Sequence, residues 1–161
     1  MNQKVLLELL QQARLNLEKD GSLTPMLFVK LHTGEDLIGE IQLPDDSEQK
    51  RLMFSAIGRD IQAEHGSIEE AILLSEIWYV DAREAPNASQ YPPSQHPSRQ
   101  EAIVMVGRNK AKTRSAIVIQ TFTRNEHNAP VWSEPHVNIV KPGTEGMAAE
   151  GLLDYLFDDS P

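Results

Sequence analysis

The chain has 161 residues and a formal net charge of -9, which makes a general attraction to nucleic-acid phosphates unfavourable. It contains no cysteine, and this excludes disulfides, thiol nucleophiles, Fe–S clusters and cysteine zinc sites. With 40% hydrophobic and 24% charged residues, the composition is that of one globular domain, 1–161, large enough to bury a core without a covalent staple.

Residues 3–19 place Val5, Leu6, Leu9, Leu10, Ala13 and Leu17 at the three-and-four spacing of one helical face. Lys19 suits the negative pole of that helix, and Gly21 can adopt the left-handed cap, so the helix should stop near Asp20. The apolar run at 5–10 is short, is interrupted by Glu8 and lacks a cleavage site. Neither a secretion signal nor a membrane span is expected, and the expected location is cytoplasmic. Residues 26–31 and 37–43 are extended runs around HTGED, a turn built on Gly34, and read as a hairpin. Asp46 stands three residues before Gln49, as in a capping box, and Leu52, Met53, Ala56, Ile57 and Ile61 then share a helical face. This second helix should reach about Glu64, with Gly66 beyond it.

Three stretches rich in Ile, Val and aromatics, 71–80, 102–106 and 116–123, predict strands. In the first, Ile72, Leu74, Trp78 and Val80 alternate with Leu73, Ile77 and Tyr79, so both faces need cover and a central position follows, with Trp78 in the core. The basic run GRNKAKTRS, 107–115, reads as a solubilising hairpin turn. Val137 and Ile139 suggest a further short strand at 134–142. Residues 147–157 place Leu152, Leu153, Leu156 and Phe157 on one side of a short helix ending in DDSP, whose aspartates oppose the dipole and call for a positive neighbour or fraying. The expected fold is α+β, a mostly antiparallel sheet of about five strands covered by two or three helices. Its element order resembles that of profilin-like and longin-like domains, an analogy of fold that carries no activity.

Between the first two of these three strands lies a loop, 82–100, with Pro86, Pro92, Pro93 and Pro97. Loops of this length without structure of their own are usually functional or disordered. The end of the loop is chemically denser. His96 can titrate near neutral pH, and Arg99 offers a planar donor fork for a carboxylate or phosphate. The structural alternative pairs Arg99 with Glu76 or Glu101 and fixes the re-entry of the chain into the sheet. Trp132, between two prolines in NAPVWSEP, could cap the sheet or anchor a partner.

SEIWYV followed, after the Pro-rich spacer, by HPSRQEAIVMV resembles a family of uncharacterised bacterial and phage-encoded proteins with an S-E-x-W strand and an H-P-x-R-x-E-A segment. The resemblance covers about residues 68–108, on Ser75, Glu76, Trp78, His96, Pro97, Arg99 and Glu101, and implies no activity.

The chain has no H-E-x-x-H, G-x-S-x-G, P-loop or G-x-G-x-x-G pattern. No cofactor is expected; a metal site drawn from His96, His127 or His136 with Glu101 is the minor reading. The leading expectation is a non-enzymatic protein-interaction or oligomerisation module, a homodimer in the simplest case, with the loop from Pro86 to Glu101 contributing the contact. No nucleic acid and no membrane are expected as partners. The alternative is a small-molecule or metal-dependent enzyme in which His96 transfers a proton, Arg99 holds an anionic group, and Glu101 orients His96 or binds metal.

Overall fold

A computed structural model describes residues 1–80, 95, 97–140 and 148–158. The first helix, α1 (Gln3–Asp20), is capped at both ends. Asn2 accepts from the Val5 amide at 2.9 Å, and Gly21, at φ 77°, returns its N–H to Leu17. The strands β1 (Met26–Leu31) and β2 (Asp36–Glu40) form the hairpin on Gly34, although β2 is shorter than the apolar run suggested. The second helix, α2 (Ser47–His65), starts at the Asp46 cap, whose carboxylate accepts from the Gln49 amide at 2.9 Å. Its buried line is Phe54 and Gly58, flanked by half-buried Met53, Ile57 and Ile61, while Leu52 is 53% exposed. The inward face is thus rotated by about one residue, ~100° of helix, from the one that the apolar spacing suggested, and Leu52 is left outside it.

The central part of the chain supplies β3 (Ile68–Tyr79), β4 (Gln100–Asn109) and β5 (Ser115–Arg124). After these come β6 (Pro130–Trp132), β7 (His136–Val140) and the short α3 (Ala148–Asp154). The fold is α+β, and the seven strands among the described residues form one antiparallel sheet ordered β2-β1-β3-β4-β5-β6, with β7 also paired to β5. The strand count exceeds the five expected because the outer edge of β5 carries two short pieces. Trp132 lies opposite Phe122 and His136 opposite Ile119, a shift of one residue in register. In effect β6 and β7 are one edge strand broken at 133–135, where Pro135 has no amide to give the ladder. Ser133 holds the break, donating its amide and hydroxyl to the Thr121 carbonyl and accepting from Gln120 Nε2 at 2.7 Å. The shift also puts Trp132, Val137 and Ile139 on the same face of the sheet.

Alternation along β3 separates two half-cores. Ile72 and Leu74 join Ile103, Met105 and Val118 under the Leu6, Leu10, Ala13 and Leu17 stripe of α1. Leu73 and Ala71 join Val104, Val106 and Phe54 on the other side, closed by Leu153, Leu156 and Phe157 of the C-terminal segment. β3 is central, as its two apolar faces required. Trp78 departs from expectation: it is not in the core but 42% exposed, because along β3 the bond from the exit of α1, Leu23 to Glu76, stops one pleat short of it.

The basic turn also does more than solubilise. Arg108 and Lys112 meet Asp154 at 3.0 and 3.7 Å, and the Lys110 ammonium donates to Ser67 Oγ at 2.7 Å. Arg108 and Lys112 thus stand beside Asp154, the residue that closes α3; the helix ends there, before the DDSP aspartates to which the expectation of a positive neighbour applies. Of the loop 82–100, residues 82–94 and 96 lie outside the described residues.

Candidate functional site

At one end of the sheet, on the α1 side, four directly opposed positions run across β3, β4, β5 and β6: Trp78, Glu101, Phe122 and Trp132. Opposed residues of an antiparallel ladder share a face, so this row sets two indoles, a phenyl ring and a carboxylate side by side. Phe122 and Trp132 are in tilted contact with centroids 4.9 Å apart. Glu76 lies one pleat inward from Trp78 on the same face.

The hub of this end is Arg124, a residue that the sequence reading did not single out. Its Nε donates to Glu101 Oε2 at 2.9 Å and its Nη2 to Glu101 Oε1 at 3.2 Å, the two-pronged pairing a guanidinium makes with a carboxylate. Nη2 also reaches the Gly21 carbonyl at 3.2 Å and lies 3.7 Å from Glu76, while Nη1 donates to the Asn128 carbonyl at 3.2 Å. The hydrogen bond to Glu101 holds the Arg124 guanidinium above its ordinary pKa range, against the desolvation that opposes it, with the charges of Glu101 and Glu76 adding to the effect. Glu76 in turn accepts from the Leu23 amide at 3.1 Å, and Trp132 Nε1 donates to Glu18 at 2.8 Å. Together these bonds fasten the end of α1 and its exit, 21–23, to four strands.

The five residues singled out from sequence therefore divide. Glu76, Glu101 and Trp132 are brought together, and each is engaged by the fold itself. Glu76 and Glu101, the carboxylates considered as partners of Arg99, both meet Arg124 of β5. Arg99 instead places its guanidinium over the Trp78 ring, 4.8 Å from the centroid, a cation–π arrangement at the surface. His96 lies outside the described residues. A cleft of about 310 Å³ opens beside Trp78, between Leu23, Pro25, Glu76 and Glu101.

Among the described residues no three His, Asp or Glu side chains gather where they could hold a metal ion. His127 sits in the β5–β6 turn beside Glu126, and His136 opens β7. His32 packs its ring against Gly66 and faces the Ser67 carbonyl at 3.3 Å, a contact between the β1–β2 turn and the exit of α2. No described helix is long and apolar enough to cross a membrane.

One signal in the sequence could have found Arg124. It stands at the end of a strand, directly beyond three alternating residues of the covered face, where an unpaired cation would be costly. Which carboxylates it would meet is a matter of strand order, and that is not written locally. No family model, curated protein or solved structure matches this chain.

Proposed function

We infer that the protein is a non-enzymatic interaction module that self-associates through the surface around Trp78 and Arg99. The observation that carries this reading is an indole left 42% exposed at the end of the central strand, with a guanidinium lying over it. Trp and Arg are the side chains that most often dominate binding energy at protein interfaces, and an indole orders at small entropic cost. The bonds of Arg124, Glu76 and Glu101 behind it make the strand ends a rigid platform, which favours tight contact. A second copy offers the same stacked pair, as a two-fold interface requires.

The test is sedimentation velocity across protein concentration and salt. A dimer is expected, and its affinity should rise with salt, because a net charge of -9 on each copy opposes association. Trp78→Ala should weaken it by about 30-fold or more, the effect of losing one interface hot spot, with the circular dichroism spectrum and melting temperature unchanged. A variant that dimerises as the parent does would sink this reading.

The enzyme reading, with His96, Arg99 and Glu101 acting together, draws less support. Both Glu101 oxygens already accept from Arg124, and Arg99 turns toward Trp78.

A further inference from the structure

On the opposite face of the sheet from Trp78, a groove of about 580 Å³ runs between the first turns of α2, the strands β3 and β4, and α3. Its volume lies within the range of small-molecule sites. The floor and walls are mostly apolar, formed by Leu73, Ile77, Val104, Val106, Leu43 and Leu152, and the one hydroxyl between the floor side chains, that of Ser75, donates to the Glu76 carbonyl. The charged groups are confined to the α2 rim, where Glu48, Lys50 and Arg51 stand near Tyr155.

The charges on that rim are unequal. Arg51 is committed to Glu48 by two hydrogen bonds, one of 3.0 Å from Nε to Oε2, and its guanidinium carbon lies 5.8 Å from the Tyr155 ring centroid. Hydrogen bonding to Arg51 holds the Glu48 carboxyl below its ordinary pKa range, and the two opposite charges offset one another. Lys50, by contrast, a half-buried residue as a whole, has no counter-ion for its ammonium among the described residues. The rim thus carries one uncompensated positive charge above an apolar trough, on a protein whose net charge is -9. A single charge fits a monoanion better than a phosphate monoester, which would bring a second negative charge with nothing to meet it.

We propose that this groove is a binding site for a medium-chain alkyl monocarboxylate, with the carboxylate at Lys50 and the chain along Leu73, Ile77, Val104 and Val106. The site lies on the other face of β3 from the Trp78 surface and is independent of it. The alternation of one strand keeps the two apart: Leu73 and Ile77 face the groove, Glu76 and Trp78 face the α1 side.

Isothermal titration calorimetry of the full chain with sodium decanoate, kept below its micelle concentration, tests the proposal. Saturable binding of one decanoate per chain is expected, with octanoate about tenfold or more weaker for the loss of two buried methylenes. Lys50→Met, which keeps the aliphatic stem and removes the charge, should weaken decanoate at least tenfold and abolish the preference for decanoate over decylammonium. Gly151→Leu supplies a second variant that should fold. A Cβ at Gly151 meets nothing within 4 Å, and the residue lines the groove, so the new side chain should block binding without lowering the melting temperature. Trp78→Ala should bind decanoate as the parent does. Absence of saturable binding, equal affinity for decanoate and decylammonium in the parent, or full affinity in Lys50→Met would each overturn the proposal.

Discussion

Arg124 shows how much one side chain can organise when strand order brings partners to it. Its side chain is 19% exposed and those of Glu76 and Glu101 23% each, so all three keep some solvent, and none bears the full cost of a buried ion. Replacing the arginine removes the donor while leaving two partly desolvated acids facing each other. Arg124→Met should therefore cost about 1–3 kcal/mol in denaturant unfolding, and the loss should shrink when Glu101→Gln is added. A double variant no more stable than Arg124→Met alone would show that Glu101 is not the group left stranded. Trp78 is the opposite case at this scale. Its neighbours in sequence are those of a core residue, and its position at the end of a strand, one pleat beyond the bond from the exit of α1, exposes it.

Among the elements, α2 was legible in its ends and misplaced in its face. Asp46 and Gly66 mark the boundaries by local chemistry that needs no tertiary partner. The inward line is set by what must fit against α3, and there Gly58 matters more than any apolar side chain. A Cβ at Gly58 would stand 2.5 Å from the Leu156 carbonyl oxygen and 2.8 Å from its Cα, while Gln62 Nε2 donates to the same carbonyl at 3.0 Å. A glycine inside a helix costs about 1 kcal/mol relative to alanine, and this close approach is what offsets it. Gly58→Ala should accordingly destabilise by about 1–3 kcal/mol despite its better helix propensity, read as a lowered melting temperature. An unchanged or raised value would mean that the C-terminal segment is not held against α2. The edge strand teaches a related lesson. Val137 and Ile139 were visible as a strand, but β6 was not, since three residues ending in Trp132 form a strand only by pairing with Phe122, Thr123 and Arg124.

For the whole molecule, the sheet is a partition between two cores that share a backbone but few side-chain contacts. Ile103 is buried on the α1 side and Ile68 on the side of α2 and α3. Ile103→Val and Ile68→Val should each cost about 0.5–1.5 kcal/mol. The double variant should match their sum to within about 0.5 kcal/mol, as for sites that share no partner. A larger coupling would show that the two layers repack together.

What the sequence determined by itself is the set of features carried by local chemistry and short-range periodicity. These are the caps of α1 and α2, the Gly34 hairpin, the two-sided alternation that makes β3 central, and hence the α+β class. Such features depend on residues within a turn or two of one another, and their physics is complete at that range. Only the tertiary structure decided which groups meet across long separations. Arg124 meets Glu101 and Glu76, Gly58 meets Leu156, Asp154 meets the basic turn, and Lys50 stands over an apolar groove, because strand order and helix placement are set by the burial of both sheet faces at once.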